Sequence, residues 1–469
     1  MRPLEIFILL ANLTTAVFIF LFPEIDDVGV RVVALVSPLL ILGHVVVEKP
    51  RWQMTPAYLQ AIIVLALSWA GLAGAAFHNG WFLFFWTVLF ILALLLTYLM
   101  AVPKLPKPTG PYAVGTRTFH LVDAARSEIF SERKTEPREL MVQVWYPAEK
   151  PAKGKRAPFV ADFEIGGPAI AERFNFPPFL VRHVDLVRTH SYEDAPLLAA
   201  EEPFPAVTFS HGYLGLRSQN TWQMEELASQ GYVVVAPNHT YGAILTVFPD
   251  GRVVFGMTEP PDDLPMQTAG RMAMRQWAKD TQFILDQLTV WHEEPGHFLN
   301  GRLDLNHIGC FGHSMGGGTA LQTVLNDSRC RALLLLDPWL KPFDVEEIEQ
   351  PLTLPLLAML STGDFGQENG RLAQKLAADN GNDAYVFTIA GTGHFDYSDL
   401  PLLSPITRLI GAKGPINGRL VSRIVNEYTL AFFDTYLRER PLGLLNGESA
   451  YKEVEFIVRG YGVDGGIDG

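Results

Sequence analysis

The stretch HIGCFGHSMGGGTALQTV, residues 307–324, sets a serine between two glycines where one periodicity gives way to another. Residues 307–311 form a short, mostly apolar run suited to a buried strand. Gly316, Gly317, Gly318, Thr319, Ala320 and Leu321 open a helix whose crowded start demands small residues. Strand, sharp turn and helix lift a serine side chain clear of a parallel sheet and aim the first helical turn at developing negative charge. A serine that only fills a tight turn would not need that context, so Ser314 is the candidate nucleophile.

The flanking chain repeats the strand half of this pattern. The segments 140–146 (LMVQVWY), 204–210 (FPAVTFS), 232–237 (YVVVAP), 332–337 (ALLLLD), 354–364 (LPLLAMLSTGD) and 383–391 (DAYVFTIAG) read as strands. Helical lengths lie at about 219–230, 266–292 and 416–438. Short apolar strands separated by helices predict an α/β domain with a mostly parallel central sheet covered on both faces. The expected division is a membrane domain at 1–103, a Pro/Gly-rich linker at 104–115 (KLPKPTGPYAVG), a catalytic domain at 116–440 and a Gly-rich C-terminal tail at 441–469.

The apolar residues are unevenly distributed. Residues 1–103 hold four long stretches with few charges, at 6–22, 28–47, 58–77 and 81–102. At about 1.5 Å per residue, roughly 20 apolar residues cross a bilayer. The expectation is therefore a four-helix transmembrane domain and a multi-pass integral membrane protein. Arg2, Lys49, Arg51, Lys104 and Lys107 lie on the flanks that share one side, which predicts that both ends, and the catalytic domain, are cytoplasmic.

A formal net charge of −13 without a basic, aromatic-studded cluster argues against a nucleic-acid partner. The two cysteines, Cys310 and Cys330, exclude a disulfide scaffold but not a single bridge; Cys310 reads as a small buried hydrophobe. There is no H-E-x-x-H, no clustered Cys/His spacing and no calcium loop. DFEIGGPAI, 162–170, lacks a nucleotide-binding glycine pattern. No cofactor is expected, and oligomeric state is not readable.

A serine nucleophile requires a base within about 3 Å and an acceptor that fixes the base's tautomer. In the α/β-hydrolase arrangement these follow the serine in the order Asp or Glu, then His, each at the carboxyl end of a strand. His394, in IAGTGHFDYSD, fits the base. His211, His239 and His313 adjoin the wrong elements and read as structural, with His313 pointing away from the serine. Asp337 (LLLLDPWLKP) and Asp364 (STGDFG) both end strands, and sequence order permits either as the acid.

Ser314 in GHSMGG, Asp337 in LDPW and His394 in GTGHFDYSD, together with TFSHGYLGLRSQNTWQMEELASQGYVVVAPNHT at 208–240, resemble the platelet-activating factor acetylhydrolase family, which includes the lipoprotein-associated phospholipase A2 of plasma. The resemblance spans approximately residues 110–435. It implies Asp337 as the acid, leaving Asp364 to its loop, and an oxyanion hole made by the backbone N–H groups of Tyr213, after His-Gly, and Met315. It also implies calcium-independent cleavage of short or oxidised sn-2 acyl esters of glycerophospholipids through an acyl-enzyme, beside a bilayer. A DPW-like segment also occurs in cutinase-like polyester hydrolases. The rival readings are a general carboxylesterase, a dienelactone- or polyester-type hydrolase, and a non-catalytic membrane scaffold with a hydrolase fold. The aromatic segment 168–185 reads as a cap, an interfacial patch or ordinary core.

Overall fold

The computed structural model describes residues 1–131, 135–150, 154–259, 264–446 and 449–460. Two compact units emerge. One comprises Met1–Lys104, Phe176–Val187 and Leu403–Leu409, the other Leu105–Asn175, Arg188–Leu402 and Ile410–Gly469.

The first unit contains helices α1 (Pro3–Leu21), α2 (Asp27–Ala34), α3 (Val36–Val47), α4 (Thr55–Trp69), α5 (Ala73–His78) and α6 (Gly80–Leu99). Among the described residues, three stretches are long and apolar enough to cross a membrane: Pro3–Leu21, Asp27–Val47 and Gly80–Leu99. The expected fourth, 58–77, is broken. Gly71 takes a left-handed φ of 71°, and Leu72 N–H donates back to the Leu67 carbonyl at 2.8 Å, ending α4. The 15 residues of α4 span about 22 Å, short of a hydrocarbon core.

The unit buries polar side chains among apolar ones and leaves large apolar side chains outside. Asn12, Thr15, Gln60, Ser68 and Thr97 are buried, whereas Val46 and Trp81 are 82% and 75% exposed. Asn12 Nδ2 donates to the Ala57 carbonyl at 2.8 Å and Gln60 Nε2 to that of Trp86 at 2.9 Å, cross-linking helices as polar side chains do in apolar surroundings. Arg2 and Arg51 are buried and both pair with Glu5. Arg2 also lies 3.7 Å from Glu48, so two of the five cations used to predict orientation are engaged in ion pairs inside the helix cluster and count for less in setting it.

The second unit is built on an eleven-stranded sheet among the described residues. Its strands are β1 (Ala113–Ser127), β2 (Pro137–Ala148), β3 (Arg156–Pro158), β4 (Arg188–Glu193), β5 (Phe204–Ser210), β6 (Val233–Asn238), β9 (Leu303–His313), β10 (Cys330–Leu336), β11 (Leu356–Ser361), β12 (Ala384–Ile389) and β13 (Val454–Arg459); β7 (Leu245–Val247) and β8 (Val253–Phe255) form a separate hairpin. The order is β13-β12-β11-β10-β9-β5-β6-β2-β1-β4-β3. The run from β6 to β12 is parallel, with β2 and β13 antiparallel on its flanks. This is the α/β-hydrolase fold. Its helices are α7 (Phe163–Arg173), α8 (Thr221–Ser229), α9 (Met266–Glu293), α10 (Met315–Asn326), α11 (Val345–Ile348), α12 (Asp364–Ala378), α13 (Leu400–Leu403) and α15 (Gly418–Arg438), while α14 (Ile406–Leu409) belongs to the first unit.

Alternation along β10 explains the two-sided cover. Leu333 and Leu335 pack with Ile284 and Leu288 of α9 and Leu321 of α10. Ala332, Leu334 and Leu336 face the other way, toward Trp222 of α8 and Tyr428 and Phe432 of α15.

Two strands lie in segments expected to be linker and tail. β1 begins at Ala113, inside the expected linker, because its pairing with β2 runs out to Ala148. The expected tail carries β13, which pairs antiparallel with β12 and covers that edge of the sheet; residues 461–469 of the tail lie outside the described residues. Cys310 and Cys330, on adjacent strands with Cα atoms 6.0 Å apart, are joined in a disulfide. In the segment 168–185, Phe174 and Phe179 are 47% and 48% exposed, which excludes the core reading for both.

Candidate active site

Parallel strands bring the ends of β5, β9, β10 and β12 to one edge of the sheet, and each carries one piece of the site. Ser314 follows β9 and caps α10 with φ 58° and ψ −123°, a backbone conformation that surrounding structure must enforce. The enforcement is visible: Ser314 N–H donates to the Leu336 carbonyl at 3.0 Å, and the Ser314 carbonyl accepts from Trp339 N–H at 2.9 Å. The flanking glycines are dictated by contact. A Cβ on Gly316 would lie 2.0 Å from the Ser210 carbonyl oxygen, and one on Gly312 would lie 2.2 Å from that of Gly316.

His394 reaches the serine from a short loop after β12, bent by Gly391 at φ 76°. Its Nε2 lies 2.9 Å from Ser314 Oγ and its Nδ1 lies 2.7 Å from Asp337 Oδ2. The carboxylate is completely buried, and its other oxygen accepts Ser361 N–H at 2.8 Å, so both oxygens are committed and the imidazole plane is fixed. Asp396 steadies the loop by accepting N–H bonds from Gly393 at 2.8 Å and Gly414 at 2.6 Å. Phe365 packs against the imidazole, ring centroids 3.8 Å apart.

Asp364 sits elsewhere. It is exposed and opens α12, where its charge favours the helix N-terminus. The acid that meets His394 is Asp337.

Tyr213 follows β5 in the turn SHGYLG. A Cβ on Gly212 would lie 3.3 Å from Ser314 Cβ, so the turn runs directly beside the serine. Among the described residues the backbone N–H groups of Tyr213 and Met315 have no protein hydrogen-bond partner, which leaves both able to donate to a ligand oxygen.

Gln219, passed over in the sequence, and His313, read there as structural, join these parts. Gln219 Oε1 accepts Gly212 N–H at 3.1 Å, while its Nε2 lies 3.0 Å from His313 Nδ1. Because the amide donates there, His313 carries its proton on Nε2, which donates to the His394 carbonyl at 3.0 Å. Burial, with His394 beside it, pushes the His313 imidazole down to about 3, so it stays neutral. His313 therefore does not point away from the site; it ties the His394 loop to the Gly212 turn.

The only His/acid trio close enough to share a metal ion among the described residues is Glu5, His44 and Glu48, in the first unit. Both Glu5 oxygens already accept from Arg2 and Arg51, so the trio is better described as part of an ion-pair cluster.

Comparison with known proteins supplies the family. The profile of the family described as platelet-activating factor acetylhydrolase, isoform II, matches residues 99–253 and 294–442. The chain belongs to that family. Among curated relatives it is similar to the platelet-activating factor acetylhydrolases of Cavia porcellus, 23% identical over 71% of this chain and 78% of that one, and of Gallus gallus, 25% identical over 71% and 84%. Among solved structures it is similar to a ferulic acid esterase from Streptomyces cinnamoneus, with 31% identity and a TM-score of 0.62 over 76% of this chain and all of the other. As a member of the family, the chain is a carboxylic ester hydrolase of the α/β-hydrolase type, and a lipid or other ester is its class of substrate.

Proposed function

We propose that this chain is a serine esterase of short-acyl carboxylic esters, with Ser314, His394 and Asp337 as its catalytic triad and the N–H groups of Tyr213 and Met315 as its oxyanion hole. The observation that carries the reading is the unbroken chain Asp337 Oδ2, His394 Nδ1, His394 Nε2, Ser314 Oγ, at 2.7 and 2.9 Å. Ser314 Oγ attacks the ester carbonyl carbon as its proton passes to His394 Nε2. The carbonyl oxygen, now negative, is received by the two N–H groups. Collapse expels the alcohol, protonated by His394, and leaves an acyl-serine. Water, deprotonated by His394, releases the acid and restores the serine.

A narrower reading has its own support. Family membership and the two acetylhydrolase relatives favour a glycerophospholipid carrying a short or oxidised sn-2 acyl group. The apolar helices of the first unit favour it too, since an enzyme anchored at a bilayer meets lipid at high effective concentration. The esterase likeness favours broader ester scope. The scaffold reading is disfavoured because all three reactive groups are in hydrogen-bond contact.

The test is a panel of simple short esters and 2-acetyl, oxidised-acyl and long-chain phospholipids, assayed in chelator on purified protein with Ser314→Ala as control. Cleavage of short esters abolished in Ser314→Ala supports the esterase; organophosphonate labelling undiminished in that variant overturns the nucleophile. Turnover of short sn-2 phospholipids above simple esters supports the narrower reading, and simple esters cleaved without phospholipid overturn it. A reporter fused to the C-terminus, mapped in intact cells, tests the proposed cytoplasmic placement of the catalytic domain behind membrane-anchoring helices.

A further inference from the structure

The oxyanion turn must present Tyr213 N–H to the substrate, and a free peptide unit has no reason to hold that direction. In a trans peptide the N–H and the preceding C=O point to opposite sides, so whatever grips the Gly212 carbonyl aims the Tyr213 N–H. Two donors grip it. Gly215 N–H donates at 2.9 Å, closing the turn, and His211 Nδ1 lies 2.7 Å away.

The tautomer of His211 follows from its other nitrogen. His239 backbone N–H, a donor under all conditions, points at His211 Nε2 at 3.1 Å, so Nε2 is the acceptor and the proton resides on Nδ1. His211 is fully buried, and burial with His239 beside it pushes its imidazole down to about 3, so the neutral form persists across the working range of pH.

His239 is itself immobilised. Its ring stacks on Trp277 at 4.3 Å, and its Nδ1 lies 3.0 Å from Asp280 Oδ2, whose carboxylate is clamped by the buried Arg138. Ser210 Oγ lies 3.2 Å from its Nε2. The backbone donor that sets the His211 tautomer therefore stands on a rigid, internally paired framework.

We infer that His211 is a positioning residue for the oxyanion hole: its Nδ1–H locks the Gly212–Tyr213 peptide so that Tyr213 N–H faces the serine. The inference deepens the esterase reading and rests on the role proposed there for Tyr213.

Two substitutions separate this role from mere packing. His211→Gln places an amide where Nε2 was, keeping an acceptor for His239 N–H but removing the donor to Gly212. His211→Asn places an amide where Nδ1 was, keeping that donor but leaving His239 N–H unpaired. Loss of a whole oxyanion donor costs about 10²–10³-fold in kcat, so a misaimed one in His211→Gln is expected to cost about 10-fold or more, with KM little changed. The affinity for a trifluoromethyl ketone, which forms a tetrahedral adduct on the serine, should fall by the same factor. His211→Asn should keep kcat within about threefold, since its donor survives, while melting at a lower temperature. Equal losses of kcat in the two variants, wild-type kcat in His211→Gln, or a kcat loss without the matching loss of ketone affinity would each overturn the inference. Should His211→Gln fail to fold, a folded His211→Asn with kcat reduced about 10-fold overturns it alone. Retention of activity in Ser314→Ala would instead overturn the underlying esterase assignment, so the two failures are distinguishable.

Discussion

Asp337 and His394 stand 57 residues apart in the chain and 2.7 Å apart in space, joined through a carboxylate with no exposure to solvent. Asp337→Asn should leave the imidazole in the wrong tautomer and lower kcat by about 10⁴-fold, the magnitude seen when a serine-protease triad loses its acid. Exposed Asp364, mutated to Asn, should lower it far less. Steady-state kinetics on both variants, with circular dichroism to exclude unfolding, checks the contrast; the reverse order of damage would reassign the acid.

Gly316 admits no side chain. Even one methyl group would lie 2.0 Å from the Ser210 carbonyl and 2.5 Å from that of His211, both on backbone that cannot swing away. Gly316→Ala should displace the oxyanion turn, abolish organophosphonate labelling and lower the melting temperature. Labelling at the wild-type rate would show that the elbow tolerates what the contact forbids.

Arg138 and Asp280 form a completely buried pair, bidentate at 3.0 and 2.6 Å. Removing Asp280 would leave buried Arg138 with Glu128 as its remaining carboxylate and take a partner from Arg126 and His239, so Asp280→Ala should cost about 3–5 kcal/mol in urea unfolding. A loss under about 1 kcal/mol would mean that water or a neighbour replaces the carboxylate.

Two buried acids predict how stability changes with pH. Burial raises Glu225 to about 7 and, with Glu225 nearby, Asp399 to about 8. Asp399 accepts Thr221 N–H at 3.1 Å through one oxygen, while among the described residues its other oxygen and one of Glu225 have no side-chain hydrogen-bond partner. Both folded values exceed the unfolded values of about 4, so their contribution is fully present below about pH 4 and is lost as pH rises toward about 8. Thermal denaturation between pH 5 and 9 should fall more steeply for wild type than for Asp399→Asn; parallel curves would exclude these groups as the cause.

The nucleophile's surroundings were legible because they are local: an apolar strand, a glycine-flanked serine and a small-residue helix start fall within 18 consecutive positions. The parallel sheet was legible for the same reason, since each strand of it announces itself as a short apolar run. What escaped depends on distant pairings. Gln219 and His313 acquire their role only when the turn after β5 and the loop after β12 are brought side by side, and neither residue type signals that. Gly71 is one glycine within an apolar run, and hydropathy does not register the positive φ that ends α4 there. Arg2 and Arg51 read as interfacial charges because Glu5, which pairs with both, sits inside a stretch dominated by apolar residues.

The Gln219–His313 bridge runs from Gly212 N–H to the His394 carbonyl, so the turn proposed to receive negative charge and the loop of the proposed proton shuttle are fastened to each other as well as to the sheet. Neither can be retuned by shifting its own loop without dragging the other. Divergence of ester preference in chains built this way is consequently confined to side chains around that fixed frame, such as those of Tyr213, Phe365 and Phe395, which can be exchanged while the reacting atoms stay in register.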